Sequence, residues 1–141
     1  MSRIYWDTML FIYWLEDHPR FGNRVGEIHS RMIERSDQLI TGAFTFGEVL
    51  VGLYPRAAAE VLHEVRQSLE TVVSEVIPFT LDSADHYAQI RGTLGVSPAD
   101  AIHLACAVDA GTDLFITSDK RLLGKIVPGI QFIASLDTVL L

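Results

Sequence analysis

The stretch Ser97-Pro-Ala-Asp-Ala-Ile-His-Leu-Ala-Cys-Ala-Val108 commits a carboxylate to the start of a helix with almost no polar face. Ser97 suits an N-cap and Pro98 the first helical position. Asp100 then falls third, where a carboxylate faces backbone N–H groups that lack helical partners. Beyond Asp100 only His103 interrupts a run of Ala, Ile, Leu, Cys and Val, so the spacing predicts a helix buried on most of its circumference. A helix of this kind needs neighbouring elements on several sides. A capping box of the S-x-x-[DE] kind accounts for Asp100 taken alone, and the rest of the chain decides whether it does more.

Short apolar runs alternate with helical patterns along the whole sequence. Arg3–Trp6 reads as a buried strand ending at Asp7-Thr8, where a helix begins that runs to about Asp17 and stops before Pro19. Asn23 can cap a second helix to about Arg35, and Leu39–Thr41 is the next strand, with Gly42 in the turn after it. Thr45-Phe-Gly-Glu48 forms a second capping box, opening a helix through about Leu53. A helix from Arg56 carries an apolar stripe through Val61, Leu62, Val65, Leu69 and Val72, as scaffold or dimer surface. Val76-Ile77 before Pro78 reads as an edge strand, and Leu81-Asp82 opens another helix. After the central helix, Gly111 precedes a strand at Leu114–Thr117. A basic turn over 120–125, a last strand over 130–133 and a C-terminal helical turn from Ser135 follow. This alternation predicts an α/β fold, a three-layer α/β/α sandwich with a central parallel sheet, formed by residues 1–141 as a single domain.

Composition narrows the function classes. With 49% apolar and 21% charged residues over 141 positions, the chain can bury a sizeable core. Met9 to Leu15 is too short to span a bilayer and lacks a signal peptide's basic start, so a cytoplasmic protein with no membrane partner is expected. The one cysteine, Cys106, excludes an intrachain disulfide and fits core packing; no Cys/His cluster has zinc spacing. A net charge of −7 disfavours non-specific binding to nucleic acid, so any nucleic-acid chemistry must be local and mediated by a cation.

Four acids share one predicted location. Asp7 and Asp119 each follow a strand, and Glu48 and Asp100 each fall in the first turn of a helix. All four therefore belong to the carboxyl edge of a parallel sheet, where such folds bind ligands. Each has a structural explanation of its own as a cap or turn residue. Together they repel, raising one another's pKa unless a cation neutralises them. An oxygen-only donor set suits Mg²⁺ or Mn²⁺ rather than zinc, and a carboxylate-held ion of this kind equips displacement at phosphorus without a protein nucleophile. The sequence holds no P-loop, G-x-S-x-G or G-x-G-x-x-G to compete.

Asp7-Thr8 after the first strand, Thr45-x-x-Glu48, Asp100-Ala-Ile-His-Leu-Ala105 and Thr117-Ser-Asp119-Lys-Arg-Leu122 resemble, in order and spacing, the PIN-domain ribonucleases. The resemblance is strongest to the toxins of VapBC-type toxin–antitoxin pairs and covers essentially the whole chain. It implies a Mg²⁺- or Mn²⁺-dependent endoribonuclease acting on RNA, with Asp7, Glu48, Asp100 and Asp119 as catalytic and metal-binding acids. It also implies a homodimer and an inhibiting antitoxin. Met9 departs from the small polar residue that often follows D-[ST] in such sequences. Thr117 and Ser118 can bind a metal-bound water or a substrate phosphate, or can satisfy local backbone. Lys120, Arg121 and Lys125 can hold RNA phosphates or form a solvated charge run. His103, one turn beyond Asp100, is read as a packed, hydrogen-bonded residue within reach of the site; Trp6, Tyr13 and Trp14 are read as core. Two other readings compete: an inactive module of the same fold that acts by binding a protein partner, and a phosphoacceptor domain. The second needs an early adjacent acid pair that residues 3–8 do not supply.

Overall fold

In a computed structural model, which describes residues 1–139 and 141, five parallel strands form one sheet in the order β3-β2-β1-β4-β5. The strands are β1 (Arg3–Trp6), β2 (Gln38–Gly42), β3 (Glu75–Ile77), β4 (Leu114–Thr117) and β5 (Phe132–Ser135). Six helices connect them: α1 (Thr8–Leu15), α2 (Gly22–Arg35), α3 (Ala43–Leu53), α4 (Ala59–Val72), α5 (Leu81–Leu94) and α6 (Pro98–Asp109). The result is the α/β/α sandwich that the alternating pattern predicts. Period-two alternation divides the strand side chains between two cores. Ile4, Trp6, Leu39 and Ile116 pack under α1, α2 and α4, with Val49 of α3 among them. Tyr5, Ile40, Ile77 and Phe115 face α5 and α6 on the other side. The central helix α6 buries Ala101, His103, Leu104, Ala105, Cys106 and Ala107, so its small residues let it lie close against the sheet.

The strand order reverses between β1 and β4. From β1 the chain builds outward to β2 and β3; from β4 it builds the other way to β5. Trp6 is in register with Ile116, and the Asp7 amide donates to the Ile116 carbonyl at 3.2 Å. The two loops leaving these strands therefore diverge to opposite faces, opening a crevice at the sheet's carboxyl edge.

Several boundaries differ from the sequence expectation, each for a local reason. Helix α3 starts at Ala43, before the expected capping box, because Gly42 leaves β2 extended and turns straight into the helix. Thr45 does not cap; its hydroxyl lies 2.7 Å from that of Thr41 in the interior, and Glu48 consequently sits in the second turn rather than the first. Helix α2 is preceded by Phe21, not capped by Asn23. Helix α1 ends at Leu15, short of Asp17, which adopts a left-handed φ of 48°. A cap missed in the sequence opens α5, where Thr80 and Ser83 bond reciprocally. Strand β5 lies two residues later than expected, because Gly129, at φ 97° and with no room for a Cβ beside Val108, turns the chain first. The expected helical turn from Ser135 is a plain turn over 136–138, closed by Ser135 and Thr138 hydroxyls 2.9 Å apart. Of the α4 stripe only Leu69 is fully buried, and Val61 is 43% exposed.

Leu104 is fully buried in α6 whereas Leu81, at the start of α5, is 87% exposed. Leu104→Ala is therefore expected to lower the unfolding free energy by about 2–5 kcal/mol, and Leu81→Ala by less than about 0.5 kcal/mol. Urea denaturation of the two variants beside the wild type checks the contrast.

Candidate active site

The crevice at the β1–β4 junction is a cleft of about 320 Å³ lined by Asp7, Thr8, Met9, Ile12, Glu48, Val51, Ala99, Asp100, His103, Ser118 and Asp119. All four acids singled out in the sequence border it. A roomier depression, about 640 Å³, lies at the opposite edge of the sheet among Met1, Ser2, Leu114, Gln131 and Phe132. Its one acid, Asp113, already accepts the Arg3 amide at 2.8 Å, so that depression has no free carboxylate cluster.

Asp7 sits at the cleft floor, on the residue where β1 ends and α1 begins. Its Oδ2 accepts from the Thr117 hydroxyl, while its buried Oδ1 has no hydrogen-bond partner. Burial pushes the Asp7 carboxyl above the usual carboxylate range, partly offset by the Thr117 hydroxyl. Thr117 in turn accepts the Asp119 amide at 2.9 Å. One fully buried hydroxyl at the end of β4 thus ties two of the acids together, and it is committed to them rather than open to substrate.

Glu48 reaches the cleft from α3. Its Oε1 accepts from the Thr8 hydroxyl and lies 2.6 Å from Nε2 of His103. Burial acts to raise the Glu48 carboxyl, but these hydrogen bonds from His103 and Thr8 outweigh it and hold the group below the ordinary range. Asp100 is half-buried in the first turn of α6, its amide 3.2 Å from the Ser97 hydroxyl as the cap predicts. Asp119 caps the short 3₁₀ turn over Lys120–Leu122 and receives Arg121 through both its amide, at 2.9 Å, and its guanidinium, also at 2.9 Å. The guanidinium holds the Asp119 carboxyl below the usual range.

Four acids on one rim are not yet a cation cage. Among the described residues, no three His, Cys, Asp or Glu side chains stand close enough to hold one ion. The expectation of carboxylates crowded together is corrected accordingly: Glu48 is drawn toward α6 by His103, and Asp119 is drawn out by Arg121. Arg121 is thereby occupied by a neighbour's carboxylate, while Lys120 is exposed and in no ion pair among the described residues.

The profile of the PIN domain family matches residues 4–126, a span that contains all four acids. The chain belongs to the PIN domain family. No curated protein matches it. Among solved structures it is similar to VapBC2 from Rickettsia felis bound to a DNA fragment from their promoter, with 13% identity and a TM-score of 0.75 over 94% of this chain and 98% of that one. DNA-bound VapBC from Salmonella typhimurium gives 21% identity and a TM-score of 0.74, covering 96% of this chain and 99% of that one. VapBC-1 from nontypeable Haemophilus influenzae gives 17% and 0.71 over the same shares.

Within this PIN domain, His103 is both packed and in contact with the site, so the two readings of it coexist. Tyr5 is the residue that sequence reasoning passed over: its hydroxyl lies 2.8 Å from Nδ1 of His103, yet in the sequence it is one aromatic in a buried strand. Trp6 is core as expected, and Met9, 36% exposed, contributes only apolar lining.

Because the folded-state pKa of Asp7 lies above its unfolded value, the folded protein holds this proton more tightly, and stability falls as pH rises through that interval. Asp7→Asn abolishes this linkage. The variant's stability relative to the wild type is expected to improve as pH rises from 4 to 7, read by thermal denaturation in chelator at both pH values.

Proposed function

We propose that this PIN domain, residues 1–141 acting as a single unit, is a metal-dependent endoribonuclease, the toxin of a VapBC-type toxin–antitoxin pair in the cytoplasm. The observation that carries the reading is Asp7: a carboxylate held at the floor of a cleft against the cost of burial, with Oδ1 in no well-formed hydrogen bond although the Ser118 and Met9 amides lie near the group. Structure alone gives little reason to retain a buried acid in that state, and a cation supplies the missing partner. The donor set fits a hard ion, since Asp7, Glu48, Asp100 and Asp119 offer carboxylate oxygens only.

In this reading Asp7, Glu48, Asp100 and Asp119, drawn closer together than they stand in the cleft, would hold one or two Mg²⁺ or Mn²⁺ ions. Held there, such an ion would supply an activated water and charge stabilisation for hydrolysis of a phosphodiester. The chain's own residues do the rest. Thr117 fixes Asp7 and the Asp119 backbone relative to each other, and Thr8 with His103 fixes Glu48. Exposed Lys120 and the Ser118 hydroxyl at the cleft are the groups that meet an RNA phosphate, an attraction needed locally because the net charge is −7. Arg121 joins them only on leaving Asp119. The VapBC relatives support a cognate antitoxin as partner. Half-exposed apolar residues along α4, such as Val61, are consistent with a protein interface for that partner or for a second copy in a homodimer.

Asp7→Asn and Asp100→Asn are each expected to reduce Mn²⁺-dependent cleavage of RNA by roughly 10²-fold or more, measured on a pool of total RNA with chelator as the zero. Unchanged cleavage in both variants sinks the nuclease reading. Folded, dimeric wild type that binds an antitoxin but cleaves nothing favours an inactive binding module instead.

A further inference from the structure

Beneath Glu48 runs a buried polar chain that the cleavage reading does not use in full. Gly42, the last residue of β2, donates its N–H to the Tyr5 hydroxyl at 3.0 Å. That hydroxyl lies 2.8 Å from Nδ1 of His103, whose Nε2 lies 2.6 Å from Oε1 of Glu48. The two ends fix the protons between them. A backbone N–H only donates and an ionised carboxylate only accepts, so the Tyr5 oxygen is an acceptor at one end and Nε2 a donor at the other. With a neutral imidazole, every atom is satisfied only if Tyr5 donates to Nδ1 and the ring proton sits on Nε2. Tyr5 is suited to hold this arrangement. Its ring stacks on Phe115 with centroids 5.0 Å apart, and burial keeps the hydroxyl protonated by pushing its pKa up. A Cβ at position 42 would stand 2.9 Å from the hydroxyl oxygen, so glycine is the residue that admits it.

We propose that Tyr5 is a positioning residue for the cleft: by fixing the His103 tautomer it holds Glu48 through Oε1, leaving Oε2 as the oxygen for a bound cation. This rests on the cation-binding reading of the same site. Among the described residues Oε1 takes both protein donors, Thr8 and His103, and Oε2 takes none. Groups that orient a metal ligand from behind in this way are worth a factor of about 10–100 in affinity.

The test pairs long-range ¹H–¹⁵N spectra of the His103 ring with isothermal titration of Mn²⁺. It uses chelator-stripped full-length wild type, Tyr5→Phe and, as a control for loss of any tyrosine hydroxyl, Tyr13→Phe. The wild type is expected to carry its proton on Nε2. Tyr5→Phe should redistribute that proton and weaken Mn²⁺ binding about 10-fold, while Tyr13→Phe moves neither signal. If Tyr5→Phe fails to fold, Gly42→Ala crowds the same hydroxyl without removing it and is read the same way. A ring proton on Nδ1 in the wild type, or unaltered Mn²⁺ affinity in Tyr5→Phe, overturns the positioning role alone. Absence of Mn²⁺ binding in the wild type overturns the cation reading and this inference together.

Discussion

The site depends on one unfavourable burial, that of the Asp7 carboxylate where β1 hands over to α1. An ionised group there loses hydration that the Thr117 hydroxyl, His103 and the nearby Ser118 and Met9 amides do not fully replace, and Oδ1 makes no well-formed hydrogen bond. The position is nonetheless well determined by the fold. Residues Ile4, Tyr5 and Trp6 are fully buried between two layers of helices, so the strand cannot slide to expose the acid without exposing three large side chains. Core packing thus holds a carboxylate in a setting that electrostatics alone disfavours. Sites arranged for chemistry commonly carry such a cost.

Sheet order converts that single position into a cleft. Since β1 lies between β2 and β4, the segments that leave it and its neighbours arrive at one edge from both layers: Asp7 from β1, Asp119 from β4, Glu48 from the helix after β2. Asp100 joins through α6, which the polar chain from Gly42 to His103 anchors on the sheet's other face. The small residues Ala101, Ala105 and Ala107 keep α6 close enough for its histidine to reach both a strand tyrosine and a helix glutamate. Packing and hydrogen bonding here are one constraint rather than two.

Strand–helix alternation made the sheet and its layers readable, because a buried parallel strand such as Leu114–Thr117 is apolar throughout while the helices keep a 3.6-residue period. Three of the four acids were readable for a related reason: Asp7, Asp100 and Asp119 each stand where a strand ends or a helix begins, whereas Glu48 lies a turn deeper in α3 than its expected capping box placed it. What the sequence concealed were the hydrogen-bond partners that individual side chains take, near in the chain or far. Thr45 looks like a cap until Thr41, four residues earlier and inside the interior, is seen to engage its hydroxyl. Tyr5 looks like core until His103, 98 positions later, is found against its hydroxyl. Arg121 looks free for a phosphate, although Asp119, two residues away, engages it. Local pattern fixes elements and edges; hydrogen-bond partners across the fold need the fold itself.

Those same partners explain how a chain of net charge −7 keeps four carboxylates on one rim. Repulsion among converged acids would raise their pKa values and cost stability. Here the load is divided instead. His103 and Thr8 stabilise the charge on Glu48, the Arg121 guanidinium stabilises Asp119, and burial shifts Asp7 toward its neutral form. The Asp119–Arg121 pair is exposed and screened by solvent, so a cation or a phosphate can displace it at small expense. The Glu48–His103 bond is buried on the histidine side and much harder to give up. In the cation-binding reading proposed above, drawing the acids together would begin with the outer, weakly paired Asp119, while Glu48 would keep its place through Oε1. The rim is loosely paired at Asp119 and firmly paired at Glu48.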